Sequence, residues 1–96
     1  MIVSFKNRGT EDIFDGDDSK AARKILPTSL HARAGRTLDQ IEAALSLQSL
    51  SLPGLRLEKL RGDRAGQHSI RVNDQYRVCF RWTEAGPDDV EIVDYH

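Results

Sequence analysis

Apolar residues recur with two different periods along the chain, and the period changes near residue 55. In the first half, spacings of three and four connect Leu30, Ala34, Leu38, Ile41 and Leu45. This spacing is typical of one face of an amphipathic helix about five turns long. Pro27 suits the first turn of that helix.

Shorter patterns flank this helix. Residues 2–6 alternate between apolar and polar side chains, which predicts a half-buried strand. Residues 9–14 predict a short helical turn that begins at Gly9-Thr10, and a polar connector follows it. Leu47 and Leu50 form a second short apolar turn, and Pro53-Gly54 ends the helical half.

The second half alternates with period two and predicts strands. Apolar positions on one face lie within residues 55–57, 68–72, 76–82 and 90–92. Asn73-Asp74 and Gly86-Pro87 are predicted as the turns between them. Because the helices come before a meander of three or four antiparallel strands, the pattern predicts an α+β fold, with one domain over residues 1–96.

The opposite face of this sheet carries the candidate chemistry. It is lined by Ser69, Arg71, Arg77, Cys79 and Arg81. Period-two geometry brings these guanidinium groups to one surface, which is suited to a phosphate backbone. Truncation of Arg77 is expected to leave no core cavity, and so to damage activity more than stability.

Charge is distributed unevenly, although the net charge is −1. Residues 56–81 carry seven basic and three acidic side chains, whereas residues 82–96 carry five acidic and no basic ones. A local basic block on a near-neutral protein favours one phosphate-binding face. Solvated arginines on a sheet would explain the charge alone equally well.

Composition indicates an ordinary soluble protein, with 39% hydrophobic and 30% charged residues. No apolar run reaches the ~18 residues of a membrane helix, and residues 1–6 do not resemble a signal peptide. Cys79 is the single cysteine, so an internal disulfide is excluded. We therefore expect a cytoplasmic protein without a membrane partner.

The most specific motif lies in the second half. Residues 60–80 read LRGDRAGQHSIRVNDQYRVCF, and the chain closes with DYH at 94–96. This segment resembles HigB-type toxins of the RelE/ParE superfamily, whose pattern is L-[KR]-G-D-R-x-G-x-x-S-I-R-[VI]-N-x-x-[WY]-R-[IV]-x-F followed by a terminal D-Y-H. Tyr76 stands where the family often has tryptophan, and residues 6–25 match less well.

The resemblance implies a fold, an activity and partners. The fold is an N-terminal strand and two helices packed on a mainly antiparallel sheet of three to five strands. The activity is metal-independent and cofactor-independent mRNA cleavage on translating ribosomes. The partners are the ribosome, mRNA and a helix-turn-helix antitoxin of the HigA type, with operator DNA contacted only through the antitoxin complex.

Residue roles follow from the resemblance and from the needs of RNA cleavage. The candidate catalytic residues are Asp94, Tyr95, His96, Arg77 and Arg61, and the candidate phosphate ligands are Arg64, Arg71, Lys59 and Arg81. Asp94 and His96 suit proton transfer, Tyr95 suits stacking or hydrogen bonding, and the arginines suit the phosphate. Strand parity points Asp94 and His96 away from the arginine face, so either the strand bulges near its end or the site lies at the sheet's edge.

Other polar residues have simpler interpretations. His68 shares the inward parity of Ile70 and is expected to be structural, and Cys79 is expected to pack. Three scattered histidines and one cysteine do not form a zinc motif. Two alternative functions stay open: a ParE-like toxin that binds gyrase, and a non-catalytic basic module that binds nucleic acid by charge alone.

Overall fold

The computed structural model describes residues 1–95, in which helices precede a four-stranded antiparallel sheet. The α-helices are α1 (Arg8–Asp15), α2 (Lys20–Ile25) and α3 (His31–Ala43). The strands are β1 (Glu58–Lys59), β2 (His68–Arg71), β3 (Tyr76–Thr83) and β4 (Gly86–Asp94). They lie in the order β1-β2-β3-β4. The α+β class and the antiparallel meander are confirmed.

Polar caps and one close approach fix the first two helices. The backbone N–H of Thr10 donates to Asn7 Oδ1 at 2.8 Å, and that of Ala22 donates to Ser19 Oγ at 3.0 Å. Gly9 lets α1 approach α2, because a Cβ at this position would lie 2.6 Å from the carbonyl oxygen of Ala21. Because α2 is so short, its helical periodicity of apolar residues could not be recognised in the sequence.

The helix α3 buries most of the predicted stripe. Ala34, Leu38 and Ile41 are fully buried. The helix ends at Ala43, however, and Leu45 is 94% exposed, so the prediction of a helix continuing to Leu45 is wrong. The chain leaves the helix there because Ser46 caps a new 3-10 turn at Leu47–Leu50, which buries Leu50 instead.

The predicted N-terminal strand is reduced to an isolated parallel bridge between Phe5 and Val90. Backbone hydrogen bonds nevertheless hold residues 3–6 along β4: the N–H groups of Val3 and Lys6 donate to the carbonyl oxygens of Pro87, at 2.7 Å, and Val90, at 2.9 Å. A bulge shifts the register of β3 and β4 between Cys79 and Arg81. Asp89 lies at this bulge with a φ of 52°. The turn between these strands occupies residues 84–85, so residues 86–87 begin β4 rather than forming the turn.

The apolar face of the sheet packs against the helices and forms the core. Its buried members include Ile70, Val72, Tyr76, Val78, Phe80, Val90 and Ile92. This face was predicted by alternation and is confirmed. Within residues 1–95, no helix combines the length and apolarity that a bilayer crossing requires.

Candidate functional site

The face of the sheet opposite the core is buried at its centre, although the sequence predicted that its arginines would be accessible. Ser69 and Cys79 are fully buried, and Arg77 is only 7% exposed. Part of the cover comes from Arg64, which donates to Glu91 Oε1 at 3.2 Å. Glu91 pairs with Cys79 in the register, so this ion pair spans the face above the thiol. The prediction of an open Arg77 is therefore wrong.

The guanidinium of Arg77 is held by fixed partners. Its Nε donates to Ser69 Oγ at 2.8 Å, and its Nη2 donates to the carbonyl oxygens of Ser69, at 3.2 Å, and Arg56, at 2.5 Å. Its Nη1 lies 3.7 Å from Glu58 Oε1. Arg56 adopts a left-handed φ of 47°, which turns its carbonyl towards this group. Arg77 thus ties β3 to β2 and to the segment before β1.

Tyr95 lies at the open end of this buried group. Its ring centroid is 5.4 Å from the Arg77 guanidinium carbon, which is a cation–π distance. The backbone N–H of Tyr95 donates to the carbonyl oxygen of Gln75 at 2.8 Å, which fixes the chain just beyond β4. The side chain is 46% exposed. We call this pair the Arg77–Tyr95 site: a cation below an accessible aromatic ring.

Asp94 belongs to the other face, as strand parity predicted. It pairs with Tyr76 in the register, and its Oδ2 accepts a hydrogen bond from Gln75 Nε2 at 3.0 Å. The bulge in β4 lies upstream, near Asp89, so it does not turn Asp94 towards Arg77. The described residues of β4 thus show no bulge near the end of the strand, and a site at the sheet's edge stays a prediction. His96 lies outside the described residues.

The remaining predicted phosphate ligands are dispersed around the sheet. Arg81 is exposed on the same face as Arg77, with its Nη1 close to Gly66. Arg71 is ion-paired with Asp74, and Arg61 is exposed at the start of the 3-10 turn Gly62–Arg64.

Lys59 is exposed on the edge strand but pairs with His68, so parity assigns it to the core side of the sheet. The structure thus brings Arg77 and Tyr95 together and leaves Lys59 and Asp94 on the opposite face. Arg56 and Glu58, the two further partners of Arg77, were missed by sequence reasoning. Glu58 shares the parity of Ser69 in the register and could have been found, whereas a backbone carbonyl gives no sequence signal.

Cys79 and His68 are two nucleophilic or titratable groups next to this region: Cys79 is fully buried, and His68 is half-buried. Burial raises the pKa of the Cys79 thiol, which keeps it protonated and unreactive at neutral pH. Burial, assisted by the charge of Lys59, lowers the pKa of His68. The His68 ring stacks near Phe80, and its Nδ1 has no hydrogen-bond partner within residues 1–95. Cys79 and His68 thus have structural packing roles, as was predicted.

No group of three or more histidine, cysteine, aspartate or glutamate side chains in residues 1–95 could hold a metal ion. The groups gathered at the Arg77–Tyr95 site are a guanidinium group, a phenol ring and the carboxylate of Glu58. Such groups can bind a phosphodiester and stack a nucleobase.

Comparison with known proteins decides the family. A family model described as the RelE-like toxin HigB of type II toxin–antitoxin systems matches residues 3–96. This chain belongs to the HigB-like toxin family. As a member of a type II toxin–antitoxin system, the HigB-like chain has a cognate antitoxin as its partner.

Two curated relatives extend the match over most of the chain. Toxin HigB-1 of Vibrio cholerae serotype O1 is 35% identical over 85 residues, which cover 88% of this chain and 86% of the relative. Endoribonuclease HigB of Proteus vulgaris is 29% identical over 96 residues, which cover the full length of both. The HigB-like match thus includes the sheet, the Arg77–Tyr95 site and the helices.

Proposed function

We propose that this HigB-like toxin is a cytoplasmic endoribonuclease that cuts mRNA on translating ribosomes without a metal ion. The observation that carries the proposal is the accessible ring of Tyr95 above the buried charge of Arg77. An exposed aromatic ring is a stacking platform for a nucleobase. The relative named as an endoribonuclease supports the same activity.

The proposed reaction is attack by the RNA's own 2′-oxygen. A base removes the 2′-hydroxyl proton, the 2′-oxygen bonds to phosphorus, and the bond from phosphorus to the 5′-oxygen breaks. An acid protonates the leaving 5′-oxygen, so the products are a 2′,3′-cyclic phosphate and a 5′-hydroxyl end. Asp94 and His96 are proposed for the proton transfers.

Substrate positioning is proposed for the remaining site residues. Tyr95 stacks one base and so holds the attacking oxygen in line with the scissile bond. Arg61 is exposed and can bind the phosphate directly. Arg77 has most of its donors engaged, so its part is to hold Tyr95 and to add positive charge beneath it. Arg64, Arg71, Arg81 and Lys59 are proposed to contact flanking phosphates.

Expression of the chain alone is expected to slow growth and to shorten translated mRNAs. We expect this cleavage because one site provides both a ring on which a base stacks and groups that bind the adjoining phosphate. Primer extension on a translated reporter, compared with the same reporter lacking a start codon, measures this cleavage. Growth arrest with intact messages would contradict the proposal and favour gyrase as the target.

The antitoxin is proposed to be a helix-turn-helix protein of the HigA type, through which alone the toxin reaches operator DNA. Co-expression with the adjacent gene is expected to give one stable complex on gel filtration and to restore growth. Interfaces that hold a toxin inactive must be tight, so the complex should survive dilution to nanomolar concentration. Separate elution of the two proteins would show that the adjacent gene does not encode the antitoxin.

A further inference from the structure

A second basic surface lies beside the site, between α3 and the end of β2. One wall of this groove is a single helix face, formed by Arg33, Arg36, Thr37 and Gln40 at the spacing i, i+3, i+4 and i+7. The other wall is formed by Gly54, Leu55, Arg71 and Val72. The groove encloses about 530 Å³. We call it the α3–β2 groove.

The charge of the α3–β2 groove is positive on both walls. Its lining includes three arginines and no acidic residue. Arg33 and Arg36 are exposed, and no ion pair joins either of them to an acidic group within the described residues. Guanidinium groups arranged in this way bind anionic oxygens with bidentate geometry.

One carboxylate already lies in this positive field. Asp74 accepts a hydrogen bond from Arg71, and its side chain is 96% exposed. The hydrogen bond and the charge of Arg71 lower the pKa of Asp74, and the charges of Arg56 and Arg33 lower it further. Arg71, Arg56 and Arg33 therefore all act on one anion from different parts of the chain.

The α3–β2 groove adjoins the Arg77–Tyr95 site through Arg71. Arg71 pairs directly with Arg77 across β2 and β3, and Arg77 donates to the backbone carbonyl of Arg56. When one base of an RNA strand stacks on Tyr95, the neighbouring phosphates can therefore bind to Arg71 and then to the arginines of α3. This adjacency favours RNA over an acidic protein segment as the occupant.

We propose that the α3–β2 groove binds the phosphate backbone of the RNA that enters the Arg77–Tyr95 site. Arg33, Arg36 and Arg71 bind phosphates, and a phosphate displaces the carboxylate of Asp74 from Arg71. The inference rests on the proposed function, since it takes RNA as the substrate. It adds a binding surface on α3 that makes no contact with the scissile bond.

The first test measures binding of a short 2′-O-methyl oligoribonucleotide, which lacks the attacking hydroxyl and stays intact. The double variant Arg33→Gln/Arg36→Gln is expected to bind about tenfold more weakly at 0.1 M salt. The slope of log affinity against log salt should flatten by about 1.4, because two phosphate contacts on a single strand are lost. The charge-matched control Arg8→Gln/Arg23→Gln, on α1 and α2, should keep the wild-type slope.

The second test removes the competing carboxylate. Asp74→Asn is expected to tighten binding of the same oligonucleotide several-fold, because Arg71 is released for phosphate. Glu84→Gln removes an equal charge from the turn between β3 and β4, at the opposite end of β3 from Arg77, and should leave the affinity within twofold of wild type. Equal tightening by both variants would show a net-charge effect and would overturn the role of Asp74.

The outcomes distinguish a failure of the groove proposal from a failure of the proposed activity. Thermal melting checks that the Arg33→Gln/Arg36→Gln variant is folded. If its affinity and salt slope are unchanged, the proposal that the groove binds RNA is overturned. Loss of antitoxin binding without loss of RNA binding would also overturn it and would identify the groove as a protein-binding surface. A wild-type chain that binds the oligonucleotide through the groove but cuts no translated mRNA would refute the proposed activity alone.

Discussion

Deleting His96 is expected to lower mRNA cleavage by about 10²–10⁴-fold, the typical contribution of a general acid or base. Histidine is the side chain that ordinarily exchanges protons near neutral pH, and proton transfer to or from the ribose and the leaving oxygen needs such a group. The fold should persist, because contacts of earlier residues hold this end of the chain. They include the Tyr76–Asp94 pairing and the hydrogen bond from Tyr95 to Gln75.

Matched variants make this result specific. His96→Gln keeps the chain length and should lose activity as the deletion does, whereas His31→Gln should keep it. His31 contacts the carbonyl of Leu26 on the helical side of the molecule, far along the chain from Tyr95. Cleavage is measured by primer extension, and folding by melting temperature and antitoxin binding. Full toxicity of both His96 variants would remove His96 from the mechanism.

Arg77→Ala is expected to destabilise the protein by about 3 kcal/mol, because buried acceptors lose a charged donor. The side chain is 7% exposed and donates to Ser69 Oγ and to the carbonyl oxygens of Ser69 and Arg56. For a chain of this length, the loss corresponds to a fall in melting temperature of about 15 °C. Alternation along β3 predicted the reverse, a loss of activity with little loss of stability.

Arg81→Ala provides the control on the same strand and the same face. Arg81 is exposed, so its truncation should change stability by less than about 0.5 kcal/mol. Thermal melting of both variants, with cleavage measured well below their melting temperatures, separates the two effects. An Arg77→Ala variant that melts within a few degrees of wild type would show that its buried hydrogen bonds are replaced by water.

Activity should also fall in folded Arg77→Ala, through Tyr95. The guanidinium supports the ring from below, so its loss frees Tyr95 to leave the stacking position. Arg77→Lys keeps a positive charge but loses the planar fork that reaches Ser69 and Arg56 together. It should therefore melt below the wild type and retain part of the cleavage that Arg77→Ala loses.

Part of the candidate site could be found from the sequence and part could not. The motif over residues 60–80 and the terminal D-Y-H identified the family and its candidate residues. Parity also placed Asp94 and Arg77 on opposite faces, as observed. The partners of Arg77 were not predictable, because Arg56 lies 21 residues away and contributes a backbone carbonyl.

Sequence patterns alone were sufficient to predict the elements that local interactions produce. Alternation gave β2 and β3 and the turn between them, and a spacing of three and four gave the buried face of α3. These patterns work because the side-chain periods of strands and helices are fixed by backbone geometry.

Long-range packing set which of these residues are accessible to water. It buried Arg77, joined Arg64 to Glu91 across 27 residues, and set Arg33 of α3 opposite Arg71 of β2. Alternation distinguishes the two faces of a sheet but does not say what covers the second one. That cover comes from loops and helices distant in the chain, so the exposure of each arginine follows from packing and not from its own neighbours.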